Sequence, residues 1–262
     1  MNDDYGFRFG GIERLYGRRA LAAFRNAHVA VVGLGGVGSW AAEALARSGV
    51  GTLTLIDMDD ICVSNTNRQL HALDGQYGRT KTDAMAERLR AINPHADIRV
   101  HFGFLTPANV AELLTDDLSG VIDAIDSVKA KAAMLAHCQR RKLPVICAGG
   151  AGGQMDPTQI RVADLSKTTQ DPLLAKVRNL LRREYGFSRN PKRRFGIEAV
   201  YSLEQLTYPA ADGEVCLQKP DTAGPVRLDC ATGFGAASPV TGSFGLIAAA
   251  RLLARLARNA QP

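Results

Sequence analysis

The chain has 262 residues, of which 46% are hydrophobic, 22% charged and only 6% aromatic. That balance belongs to a globular protein large enough for one sizeable domain; it excludes intrinsic disorder, a collagen-like repeat and a disulfide-stapled miniprotein. The formal charge of +6 is concentrated between Arg161 and Arg194, where ten cations stand against three anions. Such a block suits a polyanionic partner or else forms an ordinary solvated basic face.

Short β-branched runs alternate with helical patterns through the first half of the chain, the signature of a parallel sheet wound by crossover helices. Strands are predicted at His28–Val32, Thr52–Asp57, Ile98–Phe102, Val121–Ile125 and Pro144–Ala148. Between them helices are predicted near Gly36–Ser48, Arg79–Ile92, Pro107–Leu114 and Lys129–Arg141, the second closed by Asn93-Pro94. After the glycines of 149–153 the pattern changes to a strand over Gln159–Leu165 and a basic helix over Leu173–Arg183. Asp171 is placed to cap that helix and Pro172 to start it. Residues 186–196, rich in glycine, proline and cations, read as a mobile connector, and Tyr208–Pro239 as mostly loop. The C-terminal apolar run Phe244–Ala250 is interrupted by Arg251, Arg255 and Arg258. It predicts no integral membrane span but an amphipathic helix with Leu246, Ala250, Leu253 and Leu256 facing a core or a subunit partner. The N-terminal MNDDYGFRFGG lacks the pattern of a signal peptide, and a cytoplasmic location is expected. Five cysteines with no CxxC pair signal neither a disulfide framework nor a zinc ribbon.

The motif GLGGVGS, Gly33–Ser39, directly follows the first strand and opens a helix. Glycines there allow a tight turn and close approach to a phosphate resting on helix N-terminal amides, and Asp57 at the end of the next strand is placed for a ribose. The expected fold is therefore α/β and Rossmann-like: a mainly parallel sheet with helices on both faces and a loop-rich C-terminal extension. We expect a single domain over 1–262, with a nucleotide-binding core of about 28–150 and a basic, substrate-binding part of about 151–262. The glycine motif alone does not separate NAD from ATP. The residues at and beyond the end of the second strand favour ATP: Asp57-Met-Asp59, SNTNRQ (Ser64–Gln69), Gly78-Arg79-Thr80-Lys81, and Asp126 just past the fourth strand. All converge beyond the carboxyl ends of the strands, where Arg68 and Lys81 can hold anionic oxygens and Asp126 can ligate Mg²⁺.

In this order GLGGVGS, the Asp57/Asp59 pair, SNTNRQ, GRTK and DAIDSVKAK resemble the adenylating superfamily of the ubiquitin-activating enzymes, which includes activators of sulfur-carrier proteins. Within it the chain is similar, almost end to end, to the branch of tRNA threonylcarbamoyladenosine dehydratases. RFGGIERLYG, ALARSGVGTLTLIDMDDICVSNTNRQLHAL, AGGAGGQMDPTQIRVADLSKTTQDPL and LDCATGFGAASPVTGSFG carry that similarity. The resemblance implies ATP phosphates against Gly33, Gly35, Gly36 and Gly38, the ribose at Asp57, and Asp59 nearby. It implies triphosphate contacts from Asn65, Arg68 and Lys81 with Gln69 nearby, Mg²⁺ at Asp126, and Lys131 in the place where many relatives have arginine. It makes Arg68, Lys81 and Asp126 the catalytic set, and implies a homodimer in which Arg8 or Arg14 reaches the partner's site, although Arg8-Phe9-Gly10-Gly11 departs from the family pattern. The expected reaction is adenylation of the threonyl carboxylate next to the anticodon of tRNA, followed by ring closure with release of AMP and net loss of water. The rival readings are adenylation of a sulfur-carrier protein's C-terminus and a non-catalytic nucleotide-binding scaffold for a sulfur-transfer protein. An NAD-dependent oxidoreductase ranks last. A catalytic thiol is not required; Cys216 and Cys230 are the minor candidates for one, His71 for a catalytic histidine, and Cys62, Cys138 and Cys147 are expected to be buried and inert.

Overall fold

The computed structural model describes residues 4–210, 212–218 and 234–260. It opens with three helices for which the sequence pattern gave no expectation, α1 (Tyr5–Arg8), α2 (Gly10–Tyr16) and α3 (Arg18–Asn26). Gly17, at φ +91°, makes the break before α3, and α3 buries Ala20, Leu21 and Phe24.

The sheet then assembles from β1 (His28–Val32), β2 (Thr52–Asp57), β3 (Asp97–Phe102), β4 (Gly120–Asp123), β5 (Val145–Ala148), β6 (Ile160–Asp164) and β7 (Glu198–Ser202). Its order is β3-β2-β1-β4-β5-β7-β6, parallel throughout except that β6 runs antiparallel to β7. The order reverses between β1 and β4, which places the ligand crevice outside their carboxyl ends. Tyr208–Pro209 (β8) and Val215–Cys216 (β9) form a separate small ribbon.

Strand alternation sends Val29 and Val31 of β1 to one face and Ala30 and Val32 to the other. The first face is covered by α3, α4 (Gly38–Arg47), α5 (Lys81–Ile92) and α9 (Ser238–Asn259); the second by α6 (Val110–Leu113), α7 (Val128–Arg141) and α8 (Pro172–Glu184). Helices on both faces are what near-continuous apolar strands require.

Helix α9 has the length and apolar composition of a membrane span, but most of it is buried in this core. Its buried stripe is Val240, Phe244, Ala248, Leu252 and Leu256, with Leu253 alongside, whereas Leu246 is 48% exposed and Ala250 is exposed. Of the four predicted positions Leu253 and Leu256 face this core, while Leu246 and Ala250 lie on its outer side. Side-chain size, not hydrophobicity, selects it: a Cβ on Gly245 would lie 2.3 Å from the Val37 carbonyl, so only a small residue lets α9 approach α4 this closely.

The basic helix starts as expected, with the Asp171 carboxylate accepting from the Leu174 amide at 2.8 Å; it also accepts from Gly150 at 2.9 Å. The connector 186–196 is anchored rather than loose at its distal end. Asp164 accepts from the amides of Phe195 and Gly196, and Phe195 is buried edge-on against Phe187 with Arg182 over its ring.

Candidate active site

After β1 the chain turns at Gly33, φ +86°, whose amide donates to the Ile56 carbonyl at 2.9 Å. A Cβ here would lie 2.9 Å from the Ala124 carbonyl oxygen, and one on Gly38 only 1.7 Å from the Gly33 carbonyl oxygen. Gly36 packs on the Arg68 side chain and Thr241, and Gly35 faces the Gln69 amide. No side chain caps α4; the Ser39 amide donates to the Gly35 carbonyl at 3.1 Å, which leaves the Gly38 and Trp40 amides of the first turn for an anion.

The aspartates at and after the end of β2 hold this loop in place. Asp57 accepts from the Leu34 amide at 2.6 Å with one oxygen and from the Asp59 amide at 2.8 Å with the other. Asp59 in turn accepts from the Lys81 ammonium at 2.6 Å; Lys81 is 5% exposed while Asp59 is open to solvent. The Lys81 ammonium has three donors, so N–H groups remain for a phosphate beside that bond.

The segment 62–71 makes the opposite wall. Asn65 is buried and its side-chain oxygen accepts from the Cys62 amide, while Cys62 itself is exposed, contrary to expectation. Arg68 is half-buried and is oriented by the Ser64 carbonyl at 2.8 Å and the Asn67 side chain at 3.0 Å. The Trp40 indole donates to the Arg68 carbonyl, and Asn67 binds the Ala236 carbonyl and the Ser238 amide. Trp40 and Asn67 were missed by sequence reasoning; the second asparagine of SNTNRQ was the signal. Buried His71 lies 3.1 Å from the Gln69 side-chain oxygen, and burial, with the nearby Lys81 charge, lowers its pKa to about 4. The imidazole is therefore neutral and its Nε2–H fixes the Gln69 amide.

Asp126 follows β4, exposed and without a side-chain partner among the described residues, two positions beyond the Ala124 against which the glycine loop turns. Lys131 does not join it. The structure buries Lys131 completely, with its ammonium donating to Asp123 at 2.7 Å and to the Ala148 carbonyl at 2.8 Å. Burial alone would lower its pKa, but the facing Asp123 charge holds it above the ordinary lysine value. Its expected contact with the nucleotide is corrected to an ion pair beneath the sheet.

Of the N-terminal arginines, Arg8 pairs with Asp4 at 2.7 Å, whereas Arg14 lines an open hollow of about 660 Å³ with Arg18 and Arg19. Cys138 and Cys147 are buried with raised pKa values, Cys138 pushed up to about 12 by desolvation, and are inert. Cys216 is half-buried with its thiol on the Gln218 carbonyl; Cys230 lies outside the described residues.

The ThiF family model matches residues 11–262. The chain is 54% identical over 260 residues to the tRNA threonylcarbamoyladenosine dehydratase of Escherichia coli, covering 99% of this chain and 97% of that one. It is 53% identical over 257 residues to the enzyme of the same name from Haemophilus influenzae, covering 98% and 96%. The solved E. coli enzyme in complex with ATP superposes with a TM-score of 0.88 at 50% identity, covering 99% of this chain and 97% of that one.

Proposed function

Because the chain belongs to the ThiF family, we propose that it dehydrates threonylcarbamoyladenosine in tRNA, using ATP to activate the threonyl carboxylate. The observation that carries this reading is the end-to-end identity with the E. coli dehydratase, which extends through the basic second half and not only the glycine-loop core. A sulfur-carrier activator would share that core alone as its reason for resemblance.

The threonyl carboxylate attacks the α-phosphorus of ATP and pyrophosphate leaves. The substrate's carbamoyl nitrogen then attacks the activated carbonyl, AMP departs with the former carboxylate oxygen, and the nitrogen loses its proton, so that one water's worth of atoms is removed. Ring closure is intramolecular, and the protein's work lies mainly in the first step. The open amides of α4, Arg68 and Lys81 supply positive charge where the phosphates gain negative charge. Asp57 holds the ribose, Asn65 and Gln69 the polar wall. Asp126 would hold Mg²⁺. Its exposed carboxylate, free of side-chain partners among the described residues, is a hard oxygen donor of the kind Mg²⁺ takes. When bound, Mg²⁺ neutralises phosphate charge.

The basic stretch Arg161–Arg194 offers tRNA its phosphate contacts. The protein acts as a homodimer in the cytoplasm, and Arg14, without an ion pair among the described residues where Arg8 has one, reaches the partner's crevice. The test is mass spectrometry of nucleosides, prepared mildly from modified tRNA after incubation with the protein and ATP·Mg²⁺. Loss of one water, absent with Asp126→Ala, is expected; an unchanged mass with the wild-type protein overturns the reading.

A further inference from the structure

A second hollow opens along the same edge of the sheet, beyond β5 and β7. Its volume is about 380 Å³, and its walls include Gln170, Arg178, Gln205, Leu206, Tyr208 and Leu217. Two connections fix its place. The Gly150 amide binds Asp171, which ties the start of α8 to the carboxyl end of β5. Residues 205–208 come after the carboxyl end of β7, which runs parallel to β5. The hollow therefore faces the same way as the glycine loop and Asp126.

A thin wall separates the two. The Tyr208 ring packs on Phe234 at 5.1 Å, Gly153 binds the Gly235 carbonyl at 2.7 Å, and the Ala236 carbonyl accepts from Asn67, the neighbour of Arg68. Residues 234–238 are thus the segment that a group seated in the hollow must pass to reach the ATP crevice.

The chemistry of the lining is specific. Gln205 spends its side-chain N–H on the Leu217 carbonyl at 3.3 Å, which turns its oxygen free as an acceptor. Gln170 has neither side-chain hydrogen bond nor ion pair among the described residues, so its amide offers both donor and acceptor. It also sits at φ +58°, one of two described non-glycine residues in left-handed backbone. Glycine or asparagine would occupy that position at less cost. Tyr208 offers a ring face, Leu206 and Leu217 an apolar floor, and Arg178 a guanidinium with no ion pair among the described residues. Amides for a base edge, an aromatic for its face and a cation for its phosphate are what an unstacked nucleotide requires. The volume is at the lower end for ligand pockets and suits one base rather than several.

Resting on the function proposed above, we propose that this hollow seats the adenine ring of the modified nucleotide, with Gln170 and Gln205 on its edges, Tyr208 on its face and Arg178 on its phosphate. The threonyl arm then extends past 234–238 toward Arg68 and Asp126. The base is held on one side of the wall and the reacting carboxylate delivered on the other.

The experiment compares three anticodon stem-loop RNAs, carrying threonylcarbamoyladenosine, plain adenosine or an abasic site at the same position. The wild-type protein is compared with Gln170→Gly, which relaxes the backbone, and with Gln205→Ala, Tyr208→Ala and Tyr208→Phe. Each glutamine variant is expected to raise KM for the modified RNA about tenfold, the loss of one good hydrogen bond, with ATP affinity unchanged. Both adenine-bearing RNAs should weaken together, so that their preference over the abasic RNA collapses, and Tyr208→Phe should keep the binding that Tyr208→Ala loses. Equal weakening of all three RNAs, or unchanged preference over the abasic RNA in both glutamine variants, overturns the proposal. The binding arm needs no turnover, so it decides on the hollow even if the wild-type protein fails to dehydrate, a result that would strike only at the parent reading of the reaction.

Discussion

Replacing Lys131 by methionine separates two roles that sequence alone assigns to one residue. The ammonium makes bonds of 2.7 Å to Asp123 and 2.8 Å to the Ala148 carbonyl, and both ion-pair partners are fully buried. The second Asp123 oxygen already lacks a close partner, so Lys131→Met leaves that carboxylate with the 3.4 Å amide of Ile125 and the neighbouring Cys147 thiol, and no cation. Breaking a buried pair from one side costs about 3–5 kcal/mol. For a chain of this size each kcal/mol moves Tm by roughly 2–4 °C, so a fall of roughly 10 °C is expected. The assay is thermal unfolding by circular dichroism, paired with ATP titration calorimetry well below the transition. ATP affinity should be unchanged, and Asp123→Val in the same chain should restore most of the loss, because an apolar pair of similar volume is tolerated where a lone charge is not. An unchanged Tm with ATP binding weakened tenfold would refute the reasoning and return Lys131 to the nucleotide.

Gly38→Ala forces a Cβ to 1.7 Å from the Gly33 carbonyl oxygen, and backbone must move; single-turnover dehydration should fall about a hundredfold, the cost of roughly 1 Å of misplacement, with helix content retained. His71 has its pKa lowered from 6.5 to about 4, by burial first and Lys81 second. Between those values the unfolded chain binds the proton that the folded one refuses, so stability present at pH 7 is lost as pH falls, by about 2–3 kcal/mol at pH 4.5. Urea titrations at both pH values should show a shallower dependence in His71→Gln, and an identical slope would count against it. Arg14→Ala and Asp126→Ala should each be inactive alone, yet an equimolar mixture after subunit exchange should recover about a quarter of wild-type turnover, since half the dimers then carry one complete site; no recovery would place Arg14 outside the partner's crevice.

How much was legible depends on whether a residue's neighbours in sequence are also its neighbours in space. Strands β1 and β2 have the limits read from HVAVV and TLTLID because β-branched alternation and the glycine turn are local signals. Strand β7, EAVYS, was missed: with a single β-branched residue, it is a strand because β5 and β6 flank it. Helices α1–α3 were hidden by Gly6, Gly10, Gly11 and Gly17, which read as loop. Lys131 was misassigned although its periodicity told otherwise. It lies four residues before Leu135 and seven before Cys138, on the buried stripe of α7, whereas Lys129 on the other side is exposed.

The placement of Arg68 explains why the second half of the chain belongs to the site. Its carbonyl is held by Trp40, whose ring packs against Gly242 of α9, and its neighbour Asn67 is bonded through side chain and backbone to residues 236 and 238 at the start of the same helix. Gly36 of the phosphate loop meets Arg68 on one side and Thr241 on the other. The arginine is thus clamped between a loop read from the first half and a helix contributed by the last 23 described residues. The sheet makes the same connection, because β7 and β6 extend it from β5 without interruption. A nucleotide-binding core ending near residue 150 would lack both the clamp on Arg68 and the wall at 234–238. Under the proposed function, charge stabilisation at the phosphates and delivery of the substrate carboxylate would depend on the same short stretch of chain.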